Sequence, residues 1–369
     1  MKNRYLIFLL LLTAFSISSC IQDEAPNAEC DIVSVDAAWL EENKDIIIGN
    51  PIITNNLVKF NVKEDVSLDL LQELSPIFNL TNGANIKKIG DAYKKGESIV
   101  MHYVISSEDH YWWKDYEIIF IKQAVIPNDK IFSFENFAKS GKFYTWYEFF
   151  NNTKYDWWAS GNAACALIFA TADDFPTTKS EDGKKDNCIK LTTRTTGMSK
   201  MPIAAGNIFV GKFNSLKAAM YPLLATEFGL QIVPAKPLSL KGYYKYTPGD
   251  IFSDKGVENP NRRDECAIYS VLFEVDPDNF VPLNGKNITS SDRIVMIAEM
   301  QNPGEPTEWT EFNIPFELRN GKTFDYNKLI NNEYAITVVA SSSKDGANFN
   351  GAVGSTLYVD EIKIEWENK

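Results

Sequence analysis

Aromatic and amide side chains cluster in the second half of the chain. Tryptophan and tyrosine rings bind the apolar C–H faces of pyranose sugars, and polar groups at the rim supply hydrogen bonds. Core packing is the alternative role of every ring. In an alternating strand, however, one member of the pair Trp157–Trp158 or Tyr243–Tyr244 must face outward. The candidate sugar-contacting residues are Trp146, Trp157, Trp158, Asn162, Asn207, Lys241, Tyr243, Tyr244 and Trp309.

Paired carboxylates would support a second chemistry, the hydrolysis of glycosidic bonds. Glycoside hydrolysis needs two carboxyl groups about 5–10 Å apart, one of them with a raised pKa. Glu299, inside the apolar segment 294–300, is the acid best placed for a perturbed pKa; the alternative is a strand-end residue that reaches solvent. The acids considered are Asp173, Asp174, Glu227, Glu299 and Glu311. Because paired acids are not evident in the sequence, binding is favoured over cleavage.

Other catalytic chemistries find little support in the sequence. The chain has two histidines, His102 and His110, so Ser-His-Asp or Cys-His catalysis after residue 110 needs one of them to reach across. Histidine-rich metal sites are excluded for the same reason. No G-x-x-x-x-G-K, G-x-G-x-x-G or H-E-x-x-H motif occurs, which argues against nucleotide binding and zinc proteolysis.

Asp360 lies in the last predicted strand, residues 357–366. Alternation predicts that it shares the buried face with Tyr358, Ile362, Ile364 and Trp366. A buried carboxylate needs a cation, an arginine or backbone donors as its partner. The strand resembles the Val-Asp strand that ends many jelly-roll carbohydrate-binding modules. That resemblance implies a structural calcium ion shared by Glu135 and Asp360, although hydrogen bonding to the chain is the favoured alternative and no other cofactor is expected.

The composition is that of a folded globular protein. The 369 residues are 44% hydrophobic and 23% charged, and the length suits two domains or one large one. The net charge is −12, and it becomes −14 when Lys2 and Arg4 are removed with a leader. So acidic a chain without a basic run is poorly suited to bind nucleic acid, or anionic lipid through its surface.

The N-terminal sequence predicts a leader followed by a lipid anchor. A basic start at Lys2 and Arg4 precedes the apolar run 5–15, which is too short to span a bilayer and suits a signal peptide. The sequence 17–20, Ile-Ser-Ser-Cys, resembles a bacterial lipobox, in which Cys20 is acylated. Asp23 and Glu24 resemble the export signal of Bacteroidetes surface lipoproteins. We therefore expect a protein of the outer membrane that is exposed at the cell surface and contacts lipid through its anchor alone.

Four cysteines remain if Cys20 is acylated. An even count in an exported protein permits disulfides, here with three pairings, and buried free thiols are the alternative. No C-x-x-C motif occurs, which argues against a zinc site. These residues are Cys30, Cys165, Cys188 and Cys266.

The body of the chain is predicted to be all-β, in two domains. Short apolar runs such as 57–62 and 99–105, separated by turn residues, favour an immunoglobulin-like sandwich over residues 31–125. Longer strands and large loops from residue 126 to 369 have the size of a jelly-roll β-sandwich. Residues 65–74 show helical spacing with Asp65 as the candidate cap, and a connection between strands is the alternative. The full division is a signal peptide at 1–19, a lipidated tether at 20–30, and domains at 31–125 and 126–369.

Several strings in the second half resemble the putative carbohydrate metabolism domain family of Bacteroidetes surface lipoproteins. They occur at residues 158–162, 175–177, 189–193, 203–211, 240–246, 309–316 and 351–361, and residues 78–86 resemble the immunoglobulin-like domain that precedes such domains. The resemblance implies a jelly roll similar to carbohydrate-binding modules. It supplies no established catalytic residue.

Three functions follow as hypotheses. The first is a surface lipoprotein that binds glycan through the concave aromatic face of its jelly roll, in polysaccharide capture or metabolism. The second is a glycoside hydrolase or lyase with a carboxylate pair on that face, and the third is an adhesive protein that binds another protein. If the first is right, Trp158→Ala or Tyr244→Ala weakens sugar binding with little change in thermal stability. A large loss of stability identifies core residues instead.

Overall fold

The computed structural model describes residues 26–367 apart from 64–65, 96–97, 123–125, 151–152, 219 and 278. The predicted leader, Cys20 and the acidic pair after it lie outside the described residues. The chain divides between residues 123 and 124 into two compact units. Both are built mainly of strands, and the all-β prediction is confirmed. In the part of the chain that the structure describes, no helix has the length and hydrophobicity of a bilayer-spanning segment.

The first unit contains a five-stranded and a two-stranded sheet. Its strands are β1 (Ile32–Val35), β2 (Ile47–Ile53), β3 (Leu57–Val62), β4 (Phe78–Leu80), β5 (Asn85–Lys95), β6 (Ser98–Ser106) and β7 (Trp113–Lys122), and its helices are α1 (Ala37–Glu42) and α2 (Leu68–Glu73). The larger sheet has the order β2-β3-β7-β6-β5, in which β3 and β7 are parallel, and β1 pairs with β4.

The core of the first unit follows from alternation along its central strands. Val58, Phe60 and Val62 of β3 are all fully buried, and the Phe60 ring stacks on Phe120 of β7 at 4.7 Å. Helix α1, which the sequence did not predict, adds Trp39 edge-on to Phe60 at 5.5 Å. It begins at Asp36, whose carboxylate accepts the N–H of Trp39 at 2.9 Å.

The predicted helix at 65–74 is shorter in the structure. Helix α2 begins after Ser67, whose hydroxyl accepts the N–H of Leu70 at 3.1 Å. Asp65, the expected cap, lies outside the described residues. The N-terminus of this helix is therefore capped by the neutral hydroxyl of Ser67.

The second unit contains the longer strands. They are β8 (Ile131–Phe132), β9 (Phe137–Ser140), β10 (Phe143–Trp146), β11 (Glu148–Phe150), β12 (Thr153–Tyr155), β13 (Trp158–Ala159), β14 (Thr177–Ser180), β15 (Cys188–Thr192), β16 (Arg194–Met198), β17 (Met201–Ala204), β18 (Asn207–Phe213), β19 (Thr226–Phe228), β20 (Pro237–Thr247), β21 (Phe252–Asp254), β22 (Val257–Glu258), β23 (Ala267–Glu274), β24 (Ile294–Glu299), β25 (Thr310–Pro315), β26 (Glu317–Leu318), β27 (Tyr334–Ser341), β28 (Asn350–Ala352) and β29 (Thr356–Trp366). Short helices are α3 (Ser215–Ala218), α4 (Pro222–Ala225), α5 (Tyr326–Ile330) and the 3₁₀ turns Gly161–Cys165, Ala172–Asp174 and Gly346–Asn348.

Two antiparallel sheets with a shared core make the second unit a β-sandwich. The six-stranded sheet has the order β14-β15-β29-β20-β25 with β8 beside β29, and the seven-stranded sheet has the order β13-β18-β27-β23-β24-β26 with β19 beside β18. Leu240 and Val359 of the first sheet and Leu272 and Ile336 of the second belong to one buried cluster. The opposite face of the seven-stranded sheet is also covered, by a second cluster that includes Phe228 of β19 and Leu283 from a connection.

A β-bulge changes the predicted orientation of the last strand. Leu357 and Val359 are buried before it, and Ile362, Ile364 and Trp366 are buried after it. The register shifts opposite Lys241–Tyr243, and Glu361 has a positive φ of 49°. The predicted burial of Tyr358 on the core face is therefore wrong, because the extra residue moves the alternation by one position.

All four described cysteines are buried free thiols. Burial raises the pKa of Cys165 to about 11 and those of Cys188 and Cys266 to about 12. They are therefore thiols rather than thiolates at neutral pH and pack as small apolar residues.

Candidate functional site

Three of the candidate tryptophans are core residues. Trp146, Trp157 and Trp158 are at most 5% exposed. The prediction that Trp157 or Trp158 faces solvent is wrong, because β13 is only two residues long and the hairpin of β11 and β12 covers Trp157. The Phe150 and Tyr155 rings of that hairpin lie 5.0 and 5.2 Å from the Trp157 ring.

The candidate amides hold the backbone together. The Asn162 side chain accepts the N–H of Thr177 at 3.1 Å and donates to its carbonyl at 2.7 Å. Asn207 accepts the N–H of Gly161 at 2.9 Å and donates to Ala205 O at 3.2 Å. Their hydrogen-bonding groups are engaged within the fold, and a sugar would have to displace these contacts.

Tyr244 is buried as well. It is 6% exposed, and its hydroxyl donates to the carbonyl of Pro303 at 2.5 Å. Its ring meets that of Phe312 edge-on at 6.0 Å. Among the nine candidates, Tyr243 is instead the member of its pair that faces away from the core.

Three candidates share the solvent side of the six-stranded sheet. Lys241 and Tyr243 alternate with the buried residues of β20, and Trp309 immediately precedes β25. Lys245 Nζ lies 4.7 Å from the Trp309 ring and 4.8 Å from the Tyr358 ring, and Lys184 Nζ lies 4.9 Å from the Tyr243 ring. We call this set the aromatic–lysine face: Lys184, Lys190, Lys241, Tyr243, Lys245, Trp309 and Tyr358.

Contacts between lysine side chains and rings hold the rings of this face in place. Lys245 also pairs with Asp182 at 2.5 Å, and Lys241 pairs with Glu365 at 2.8 Å. Cation–π contacts of this kind hold an aromatic ring and an ammonium group against each other. The sequence missed Tyr358 because the bulge in β29, not the alternation alone, turns its ring to this side.

A cleft of about 1000 Å³ runs beside this face at the open edge of the sandwich. Its walls come from β25, which ends the six-stranded sheet, and from β24 and β26, which end the seven-stranded one. Apolar lining residues include Ile297, Met300 and Phe312. The polar lining includes four carboxylate and four amide side chains: Asp292, Glu299, Glu311, Glu317, Gln301, Asn302, Asn313 and Asn320.

The five acids that the sequence analysis named as candidates lie in different surroundings in the structure. Asp174 accepts the N–H and hydroxyl of Thr171 at a 3₁₀ turn, and Glu227 pairs with Lys217 at 2.8 Å. Asp173 is exposed within that turn. Glu299 and Glu311 both line the cleft, and neither has an ion pair with any described residue.

The aromatic–lysine face and the cleft meet at β25. Tyr243 lies directly opposite Glu311, so the two side chains share one face of the sheet. Glu299 of β24, on the other wall of the cleft, pairs across the sheet with Tyr269 of β23. Burial and the Glu299 charge raise the pKa of the Tyr269 phenol. The arrangement offers ring faces, amides and carboxylates to a ligand along one edge.

Glu135 and Asp360 both bind the loop 182–187. Asp360 is fully buried and accepts the N–H groups of Lys184 at 2.8 Å and Lys185 at 3.2 Å, and that of Glu361 at 2.8 Å. Glu135 accepts the backbone and side-chain N–H groups of Asn187 at 2.8 and 2.7 Å.

These hydrogen bonds use the oxygens that a calcium ion would need, so this donor set fits backbone binding rather than a metal. Among the described residues, no group of three or more His, Cys, Asp or Glu side chains is placed to hold a metal ion. The calcium role of Glu135 and Asp360 stays a prediction.

Asp360 makes the stability of the second unit depend on pH. Burial raises its pKa from 3.8 to about 6, against the opposing effect of the three N–H donors. Between pH 4 and 6 the folded state then holds more protons than the unfolded state, so the free energy of unfolding falls as pH rises. We expect the wild type to lose up to about 3 kcal/mol relative to Asp360→Asn between pH 4 and 7. Urea unfolding of both proteins across this range measures the difference, and a constant difference would contradict it.

The fold and site define a two-unit all-β protein whose larger unit is a sandwich with an aromatic face and an edge cleft. The family described as "Putative carbohydrate metabolism domain" matches residues 133–365, and the chain belongs to this family. The resemblance noted in the sequence is thereby confirmed. The larger unit is a carbohydrate-related β-sandwich.

Two solved structures are similar to the chain. One, described as a "putative glycoside hydrolase" from Bacteroides thetaiotaomicron, is 36% identical with a TM-score of 0.65, and the match covers 94% of this chain and all of that one. Another, described in the same words and from Bacteroides vulgatus, is 37% identical with a TM-score of 0.60 over 66% of this chain and 99% of that one. No curated protein matches the chain.

Proposed function

We propose that this protein is a cell-surface lipoprotein that binds glycan along the aromatic–lysine face and the adjoining cleft. The observation that carries the proposal is their junction at β25, where Tyr243 and Glu311 stand opposite each other. Rings of this face can stack on the C–H surface of a sugar, while amides such as Asn313 offer donors and acceptors to its hydroxyls.

The dimensions of the cleft suit an oligosaccharide. Ligand sites of about 300–1000 Å³ with an apolar lining and a few polar groups are typical of small-molecule binding, and this cleft lies at the upper end of that range. The lysines of the face that have no ion pair with any described residue, Lys184 and Lys190, would meet hydroxyl or acidic groups of the sugar. A chain of several sugar units could therefore contact face and cleft together.

Acylation of Cys20 supplies the proposed location. The lipobox-like sequence 17–20 and the acidic pair at 23–24 support a lipid anchor and export to the cell surface. An anchored protein at the outer membrane would hold polysaccharide near the cell for capture or metabolism. Two or three acyl chains hold a protein stably on a membrane, whereas one chain does so only weakly.

The test is a binding measurement with the full chain and a Tyr243→Ala/Trp309→Ala variant. A polysaccharide and oligosaccharide panel first identifies a ligand by isothermal titration calorimetry. Each lost ring contributes about 0.5–1.5 kcal/mol beyond its buried area, so the double variant should bind about 10- to 100-fold more weakly.

Tyr221→Ala is the matched control. Tyr221 is 57% exposed and belongs to neither the face nor the cleft, so its removal should leave affinity unchanged. Equal weakening in both variants, or no glycan binding by the wild type, contradicts the proposal. Binding of another protein instead would support the adhesive alternative.

Hydrolysis is the second candidate function, favoured by Glu299 and Glu311 in the cleft. Neither carboxylate has an ion pair with the described residues, although Arg319 and Lys322 also line the cleft, and hydrolysis requires the two carboxyl groups to lie about 5–10 Å apart. The similar structures described as glycoside hydrolases are consistent with it. Reducing sugar released during the binding assay, and lost in Glu299→Gln and Glu311→Gln, would assign cleavage; binding without release would assign capture.

A further inference from the structure

The hairpin of β6 and β7 in the first unit presents three consecutive aromatic side chains to solvent, two from its loop and one from the first residue of β7. Tyr111, Trp112 and Trp113 are 79%, 62% and 67% exposed. The other six tryptophans, in contrast, are buried or half-buried. This loop lies outside the family match at 133–365, and the proposed glycan site does not use it.

The loop has an ordered backbone. Ser107 is fully buried; its hydroxyl donates to Asp109 at 2.5 Å and accepts the N–H of Trp112 at 3.1 Å. Asp109 also accepts the N–H of Tyr111 at 2.9 Å. These contacts fix the turn without the aromatic rings, so the exposed rings are not needed to close it.

The N-terminal segment of the described chain binds this same loop. Asn27 donates its backbone N–H to Glu108 at 2.8 Å and its side-chain amide to Asn82 O at 3.3 Å. Glu108 thereby holds the incoming chain, and Asp109 is occupied within the turn. Cys20 is seven residues before Asn27, so the intervening chain spans at most about 25 Å.

We propose that Tyr111, Trp112 and Trp113 rest in the interfacial layer of the membrane that holds the acylated Cys20. This inference relies on the lipid anchor of the proposed function. The short connection from Cys20 to Asn27 keeps the loop near the bilayer, and Trp and Tyr are the residues enriched where an apolar ring meets lipid headgroups. The chain thus gains a second contact that orients the first unit.

The surrounding charges favour a zwitterionic lipid surface. Glu108 and Asp109 precede the rings, the protein without its leader carries a net charge of −14, and Lys114 is paired with Asp31 at 2.5 Å. Anionic headgroups would be repelled, so insertion of the rings and not charge attraction must provide the contact. The probe is accordingly a phosphatidylcholine vesicle.

The experiment measures tryptophan quenching in the full acylated protein, produced with its own leader and reconstituted into brominated phosphatidylcholine vesicles. Quenching should be stronger with bromine near the headgroup than near the chain end, because the rings lie at the interface. Trp112→Ala/Trp113→Ala should lose this quenching while its glycan binding stays unchanged.

A second variant places a control ring on the same sheet. Tyr93 pairs with Val100, whereas Trp113 pairs with Ser106, six residues or about 20 Å further along β6. Tyr93→Trp in the Trp112→Ala/Trp113→Ala protein should therefore remain unquenched.

Each outcome of the experiment decides the proposal. Protein that floats with the vesicles but is not quenched through Trp112 and Trp113 overturns the loop contact and leaves the anchor standing. Protein that does not float removes the anchor and the inference with it. Emission of these tryptophans that changes with oligosaccharide, and not with lipid, would assign the loop to glycan and overturn the membrane contact.

Discussion

Trp158→Ala is expected to lower the free energy of unfolding of the second unit by about 3–5 kcal/mol. The Trp158 ring is 5% exposed and packs against Phe132 and Phe134, with centroids at 5.3 and 5.0 Å. Its indole N–H donates to Glu148 at 2.8 Å. The substitution opens a cavity and also removes a donor from a buried carboxylate, so both effects reduce stability.

The hydrogen bond from Trp158 to Glu148 contributes to stability separately from the packing of the ring. Burial raises the pKa of Glu148, while the ion pair with Lys130 at 2.7 Å and the Trp158 hydrogen bond lower it. Trp158→Phe keeps a phenyl ring but removes the donor and the pyrrole part of the indole, so it should cost less than Trp158→Ala, about 1–3 kcal/mol. Urea unfolding compares the two variants. A Trp158→Ala protein with wild-type stability and weakened sugar binding would restore the role that the sequence suggested.

The bounds and buried faces of strands could be predicted where the pattern of neighbouring side chains alone determines them. The apolar runs at 57–62 and 334–341, bounded by turn residues, are strands β3 and β27 with the same bounds. The face shared by Val271 and Phe273 of β23 and by Val275 just after it also follows from alternation, and all three lie in one buried cluster. These features depend on side chains a few positions apart, which a sequence shows directly.

The site was harder to predict because it depends on contacts between distant segments. The hairpin that covers Trp157 ends at Tyr155, only two residues before it, but its residue pattern does not show that it folds over the Trp157 ring, and nothing near Tyr358 reveals the bulge that turns it outward. The cleft joins residues 289–322 of two different sheets with Tyr244 of β20. Residue types identified Lys241, Tyr243 and Trp309, while only the register shows that they share one face.

The Asp264 network is likewise invisible in the sequence. Asp264 is 3% exposed and accepts hydrogen bonds from Ser343 at 2.6 Å, Ser355 at 2.7 Å and the N–H of Ala352 at 2.8 Å. This carboxylate joins the loop before β23 to the segment between β27 and β29, alongside a backbone hydrogen bond from Lys344 N–H to Glu265 O at 2.7 Å.

Asp264→Ala is therefore expected to cost about 3–5 kcal/mol of unfolding free energy, because these three donors and the N–H of Glu265 at 3.0 Å lose their acceptor in a buried site. Asp254→Ala is the matched control from the same loop: its partner Arg262 lies at 2.5 Å, but both side chains are at least 40% exposed. An exposed ion pair contributes about 0–1 kcal/mol, so this control should stay near the wild type in urea unfolding. Equal losses in the two variants would contradict a special role for Asp264. A large loss confined to Asp264→Ala would show that a buried acceptor, and not the charge of the loop, holds these segments together.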